Sequence, residues 1–248
     1  MLWRQNPSIR WWQGRAKSAR DQNRSRNRNM AVNFDWNRIE TVRIDMDGTL
    51  LDRRFDNHFW LEHVPKRYAE SRGIEPEAAR EELYGRYRAV LGTIDWYCVD
   101  YWSRELGMDI ALLKEEVDHL IAVHPHVIEF LEGLNRAGKR RVLVTNAHGK
   151  AIELKMRRTP IGGYLDAVVC AHDLGVPKED LRFWDRLKGR EPFDNETTLL
   201  VDDSLAVLRS AARYGVTNLL EIRKPDSKLA AKEISEFTAV NHFRELIQ

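Results

Sequence analysis

The run Thr41-Val42-Arg43-Ile44 leads directly into Asp45-Met46-Asp47-Gly48-Thr49-Leu50-Leu51-Asp52. A short, β-branched strand therefore breaks into a glycine turn that carries two carboxylates one residue apart. Such a pair can divide phosphoryl chemistry between them: the first attacks phosphorus, and the second gives and takes the proton. Gly48 supplies the backbone freedom for a sharp turn whose amides approach a phosphate closely. An Asp-x-Asp-Gly turn by itself is common surface structure, so the weight falls on the segments downstream.

Three later segments repeat the arrangement. Val142-Leu143-Val144 ends in Thr145-Asn146, a pair that alone reads as a turn or helix cap. Ala167-Val168-Val169-Cys170-Ala171 is followed by a loop with Gly175 and Pro177 and then by Lys178, in isolation an ordinary surface charge. Leu199-Leu200-Val201 runs straight into Asp202-Asp203-Ser204. Paired acids after a buried strand are expensive to desolvate, so this segment is informative on its own physics. Each apolar run precedes a helix-like segment. In a parallel α/β sheet, ligands gather outside the carboxyl ends of the strands, near the reversal of strand order. The four segments together therefore predict one site on a doubly wound, Rossmann-like α/β core.

Residues 52–124 are too many for a loop of a compact domain, and they read as helices. Trp60, Leu61, Val64 and Tyr68 share a helical face before Gly73; Pro76 suits a first helical position, with Leu83, Tyr84, Tyr87 and Leu91 striping the segment before Gly92. A third helix spans residues 95–106 and stops at Gly107, and Asp109 caps a fourth striped by Leu112, Leu113, Leu120 and Ile121. After Pro125 the αβ alternation resumes. A helix bearing Val127, Ile128, Leu131 and Leu134 stops at Gly138; Ser204 is placed to cap a helix with Leu205, Leu208 and Ala212; residues 218–222 form the last strand. With residues 41–44 this makes five strands. The organisation is thus a core of residues 31–51 and 125–248 with an all-helical insert at 52–124. Arg43 interrupts a strand that should be apolar on both faces, and it either reaches solvent near the strand's start or pairs with a core carboxylate.

At 248 residues and 43% hydrophobic content, the chain can bury one substantial core with or without a small accessory domain. No apolar run approaches the roughly 18 residues of a membrane span. The two cysteines, Cys98 and Cys170, lack metal-ligand spacing and read as packed, reduced thiols, which points to the cytoplasm. The net charge of +2 conceals a tail: residues 1–29 carry eight Lys/Arg against Asp21, leaving the remainder at −5. The body is mildly acidic and unlike a nucleic-acid-binding domain. Residues 1–30, rich in Arg, Asn, Gln and Ser without an apolar stripe, read as disordered. A nucleic-acid arm, a transit peptide or an acidic-surface tether would suit that composition. With Met30 just ahead of the first core-like segment, a start-site over-extension or dispensable leader is the simpler reading.

The Asp45–Asp52 stretch resembles the nucleophile motif of the haloacid dehalogenase (HAD) superfamily, and Thr145-Asn146, Lys178 and Asp202-Asp203 resemble its three further motifs. The helical insert resembles the cap of one large HAD subgroup, which closes over the site and selects substrate. Phe55-Asp56-Asn57-His58-Phe59-Trp60, residues 95–103, Thr145-Asn146-Ala147-His148 and Pro177-Lys178-Glu179-Asp180 look like the bacterial GMP/IMP nucleotidases of that superfamily, from about Ala31 to the C-terminus. The resemblance implies hydrolysis of purine nucleoside 5′-monophosphates through an aspartyl-phosphate on Asp45, with Asp47 as general acid and base. Thr145, the Asn146 amide and Lys178 would hold the phosphate oxygens. It also implies Mg2+, held by the Asp45 carboxylate, the Asp47 carbonyl and an acid of the Asp202–Asp203 pair, Asp203 occupying the position that more often binds directly.

For the base, Asn57, Trp60 and Tyr97 are the candidates, with Trp96 and Trp102, although aromatics at helical spacing usually build a core. Aromatic stacking on a purine contributes ~1–3 kcal/mol. His124 and His126 read as linker residues, and His148 either faces the site or lies in a solvated loop. A sugar-phosphate phosphatase or phosphomutase would share every core residue. A non-catalytic binding module would carry the clustered charge as a liability, and a dehalogenase would have no need of Asp47.

Overall fold

The computed structural model describes residues 34–233 and 235–247. The basic tail expected over residues 1–30 lies outside these. Six strands form one parallel sheet in the order β3-β2-β1-β4-β5-β6. They are β1 (Thr41–Ile44), β2 (Arg140–Thr145), β3 (Ala167–Cys170), β4 (Thr198–Asp202), β5 (Asn218–Ile222) and β6 (Thr238–Val240). The five expected strands are all present. β6 is the addition: three residues beside β5, too short to announce itself by alternation.

β1 sits at the switch point, with β2 on one side and β4 on the other. Ile44 is level with Leu143 and with Val201, and the Asp45 amide donates to the Val201 carbonyl at 2.9 Å. The first residue past β1 is thereby fixed beside the end of β4. Alternate strand residues face opposite sides of the sheet. Ile44, Leu143, Leu199 and Val201 pack toward α6 (Val127–Arg136); Val142, Val144, Val169 and Leu200 pack toward α9 (Leu181–Arg190) and α10 (Leu205–Tyr214). Burial on both faces is why these strands read as continuous apolar runs.

Arg43 follows neither expected route. Its side chain is buried, donates to the carbonyls of Glu191 and Pro192 at 2.9 and 3.4 Å, and lies 4.5 Å from the Phe193 ring centre. Backbone oxygens at the end of α9 and an aromatic face take the place of a carboxylate or water. Burial pushes its pKa down to about 10. Ser204 also departs from expectation: it occupies the N-cap position of α10 but its hydroxyl makes no capping bond, while its own amide donates to Asp202 Oδ1 at 2.8 Å.

Between β1 and β2 the helical insert contains α1 (Arg54–His58), a π-helical turn (Phe59–His63), α2 (Val64–Arg72), α3 (Pro76–Ala89), α4 (Val99–Leu106) and α5 (Ile110–Glu116). Its own apolar cluster includes Phe55, Phe59, Val64, Leu83, Trp102 and Ile110, and α7 (Gly149–Arg158) contributes Ala151 and Leu154 from the core side. Gly73 and Gly107 end α2 and α4 in the left-handed region. Asp109 caps α5 as expected, but Leu112 is 57% exposed, and Ile110 and Leu113 form the buried stripe instead. The chain's departure and return are stitched together: the Asp52 amide donates to Ala122 O and the His124 amide to Leu50 O, both at 2.9 Å. Among the described residues no helix is long and apolar enough to cross a membrane.

Candidate active site

Lys178 is the hub of the carboxyl ends. Its buried Nζ donates to Asp45 Oδ1 at 2.5 Å, Asp202 Oδ2 at 2.7 Å and the Val144 carbonyl at 3.1 Å. Burial works to strip its proton, but Asp202 and Asp45 outweigh it and hold the lysine above its ordinary value. Burial pushes Asp45 up to about 6, against the pull of Lys178 and with help from Asp202. Asn146 fixes the loop that carries Lys178: its Oδ1 accepts from the Lys178 amide and its Nδ2 donates to Glu179 Oε2, both at 2.9 Å. Thr145, buried at the end of β2, has Oγ1 accepting from the Ala147 amide at 3.1 Å. The structure thus gathers Asp45, Thr145, Asn146, Lys178 and Asp202 at adjacent strand ends.

Asp47 has a different set of neighbours. Lys155 Nζ, on α7, lies 2.6 Å from Asp47 Oδ1 and 2.7 Å from Asp56 Oδ2, and Lys114 Nζ, on α5, lies 3.1 Å from Asp56 Oδ1. Burial raises Asp47 to about 6, opposed by Lys155 and reinforced by Asp56 and Asp45. For Asp56 burial also works upward, but Lys155 and Lys114 win and hold it below the ordinary carboxylate range. A carboxyl titrating near 6 is well matched to donating and accepting a proton around neutrality.

Asp203 faces the turn. Gly48 has φ +90°, and a Cβ there would stand 2.9 Å from Asp203 Cγ and from Pro225 Cβ, so glycine is required both for the turn and for the close approach. Arg53 Nη2 donates to the Asp47 carbonyl at 3.2 Å and to Asp203 Oδ1 at 2.8 Å, while Lys232 donates to the Asp203 carbonyl. Burial raises both Asp202 and Asp203.

The fit to a divalent metal rests on donor chemistry. Carboxylate oxygens of Asp45, Asp202 and Asp203, all buried, lie within 4.8 Å of one another. Asp203 Oδ2, though 2.8 Å from the Arg53 guanidinium, accepts no hydrogen bond. Buried, crowded carboxylates with a spare oxygen suit a hard, oxygen-seeking cation.

The three candidate base contacts separate. Trp60 sits inside the insert's aromatic cluster, with ring centres 4.9, 5.8 and 5.9 Å from Phe59, Tyr87 and Trp102. Tyr97 donates its hydroxyl to Glu179 Oε1 at 2.7 Å, so an insert residue meets the Lys178 loop. Asn57 Nδ2 donates to Asp226 Oδ2 at 2.7 Å, a second tie from insert to core. Sequence reasoning missed Arg53, Asp56, Lys114, Lys155 and Glu179. Lys155 had a signal: it stands on the buried face of α7, one turn from Ala151 and beside Leu154, where a charge must have a partner.

Known proteins share the family and the fold. The haloacid dehalogenase-like hydrolase family matches residues 39–215. The GMP/IMP nucleotidase YrfG of Escherichia coli (strain K12) is 39% identical over 218 residues, 88% of this chain and 98% of that protein, and the protein of that name from Shigella flexneri matches to the same extent. Among solved structures, a HAD phosphatase from Thermococcus onnurineus superposes with a TM-score of 0.70 at 23% identity, over 84% of this chain and 96% of that one. The HAD-hydrolase YfnB of Bacillus subtilis, solved bound to magnesium, gives 0.55 at 18% identity over the same share of each. From the sheet order, the strand-end residues and these matches together, the chain belongs to the haloacid dehalogenase-like hydrolases.

Proposed function

We propose that this protein is a magnesium-dependent phosphatase that hydrolyses purine nucleoside 5′-monophosphates, GMP and IMP in particular. The observation that carries the reading is the buried Asp45–Lys178–Asp202 group with Asp47 beside it, which gives the nucleophile and the proton-exchanging acid separate lysine partners, Lys178 and Lys155.

Asp45 attacks phosphorus in line, and the bond to the 5′-oxygen breaks as Asp47 delivers its proton to that oxygen. Asp47 then takes a proton from water, which attacks the aspartyl-phosphate and frees the Asp45 carboxylate and phosphate. Lys178, the Thr145 hydroxyl and the Asn146 amide neutralise and orient the phosphoryl oxygens, preorganised charge being the largest contribution in such reactions. Asp45, the Asp47 carbonyl and Asp203 would hold Mg2+, which supplies charge neutralisation and alignment of the phosphoryl group. The spare oxygen of Asp203, set against the full engagement of Asp202 by Lys178 and Ser204, supports Asp203 as the direct ligand.

Residues 31–51 and 125–248 form the catalytic core in this reading, and residues 52–124 form the cap that chooses the base. The core contacts all address phosphate, which every monoester presents alike, so discrimination falls to the insert that carries Trp60, Tyr97 and Asn57, the last of them engaged by Asp226. Phosphate release should be measured for GMP, IMP, AMP, a pyrimidine monophosphate and sugar phosphates, with Mg2+ and with chelator. GMP and IMP should lead, and AMP should lag, because a site that pairs with a 6-oxo group leaves a partner unmatched against an amino group. Asp45→Asn should abolish release, and Asp47→Asn should lower it by roughly 10²–10⁴-fold. Equal rates on every ester would make the protein a generalist phosphatase, and turnover by Asp45→Asn would end the covalent mechanism.

A further inference from the structure

Where the insert meets the core, three side chains from separate segments converge. Cys98 precedes α4, His148 precedes α7, and His172 lies in α8 (Ala171–Leu174) behind β3. One ligand atom from each, a sulfur and two ring nitrogens, falls within 4.8 Å of the others. The two imidazoles meet edge to face, with centres 4.9 Å apart.

The state of each group matters more than their proximity. His172 is hydrogen-bonded to the backbone of Asn146, and its Nε2 is buried with no partner. An imidazole anchored through one nitrogen to a backbone oxygen, with the other nitrogen bare, is held as metal-binding histidines are held. A buried polar atom left without a partner also asks for a ligand. Burial lowers the pKa of both His148 and His172, which favours the neutral rings a metal requires. Cys98 is a half-buried free thiol whose Sγ accepts from the Tyr101 amide at 3.3 Å, a donor that can stay in place around a bound thiolate. Asp100 Oδ2, 3.8 Å from His148 Nε2, stands at the edge of the cluster.

We propose that Cys98, His148 and His172 form a site for a thiophilic divalent transition metal of the zinc class, distinct from the carboxylate site, which clasps the insert to the core. One sulfur and two imidazole nitrogens are zinc donors, and a tetrahedral ion would have a fourth position left for water or the Asp100 carboxylate. Magnesium, which seeks hard oxygen, has no affinity for this set, so the two sites divide metals by chemistry. Binding converts the Cys98 thiol to thiolate and releases its proton to solvent, without any redox step. Because Cys98 belongs to the insert and both histidines to the core, the bound ion would be a crosslink across the boundary between the two parts.

Co2+ serves as the spectroscopic probe. The full chain, stripped by chelator, is titrated with Co2+, and a thiolate-to-cobalt charge-transfer band should grow to saturation, vanish on adding Zn2+ and persist in excess Mg2+. Cys98→Ser and His172→Gln should each lose the band. A second measurement on the wild type is independent of variant folding: Zn2+ should protect Cys98 from alkylation by iodoacetamide, with the modified peptide identified by mass. Absence of the band, its survival in Cys98→Ser, or a Cys98 alkylation rate indifferent to Zn2+ would each overturn the proposal.

Discussion

Lys155 and Asp47, 108 positions apart in the chain, meet at 2.6 Å, and the same ammonium holds Asp56 at 2.7 Å. Lys155 is the countercharge that limits how far burial raises Asp47. In Lys155→Met, Asp47 should rise above its value of about 6 and keep its proton to higher pH. The basic limb of the kcat/KM profile, set by loss of that proton, should shift upward. Removing one member of a buried ion pair typically costs about 3–5 kcal/mol, so the melting temperature should fall by several degrees as well. A variant with wild-type melting and an unmoved basic limb would show that the two residues are not coupled.

Asp56 carries a pH signature of opposite sign. It sits below its ordinary value of 3.8, because Lys155 and Lys114 overcome burial. A depressed carboxylate contributes stability above its unfolded pKa, and that contribution disappears as pH falls through the lower folded pKa. Asp47, which repels Asp56 when charged, is already protonated below its value of about 6, so under that pH the gap in melting temperature between wild type and Asp56→Asn should hold to about pH 4 and close below it. A gap that widens below about pH 4 would contradict the assignment.

Arg53 donates to the Asp47 carbonyl and to Asp203, two of the groups proposed to hold Mg2+. Arg53→Leu should lower the melting temperature in chelator, because Asp203 loses its counter-ion. It should also tighten Mg2+ binding in calorimetry and enlarge the Mg2+-induced rise in melting temperature. Weaker Mg2+ binding by the variant would assign Arg53 to supporting the metal instead of competing with it.

Asn57 is spoken for by Asp226, 2.7 Å away across the boundary. Asn57→Ala should loosen that tie, at about 0.5–1.5 kcal/mol for the hydrogen bond, and lower kcat/KM on GMP and on para-nitrophenyl phosphate by similar factors. A loss confined to GMP would move Asn57 from the boundary to the base.

The strand ends were legible in the sequence because polar residues after apolar, β-branched runs have few innocent explanations. Asp45, Thr145, Lys178 and Asp202 come together because a parallel register sets four such ends side by side. Asp56 was hidden by the opposite circumstance, since a charge on a helix is ordinarily solvated, and Lys155 was marked only by its place on the apolar face that α7 packs against the insert. Cys98 read as a packed thiol, His148 as a site or loop residue and His172 as nothing in particular, because metal-ligand spacing is a local pattern and these three come from three segments. Arg43 was read as an irregularity of β1, and its partners proved to be carbonyls, which carry no sequence signal.

The stitching of Leu50–Asp52 to Ala122–His124 has a consequence for how this protein can change. Leu51 and Val123 pair antiparallel at the point where the insert begins and ends, so the insert leaves and rejoins the core through a closed two-strand stem. What lies beyond the stem can grow, shrink or be exchanged at a small further entropic penalty for loop length, since closure is already achieved by the stem's own hydrogen bonds. In the proposed reading, in which the insert selects the ester, a transplanted insert that brings a partner for Asp47's lysine would redirect the same nucleophile to a different ester.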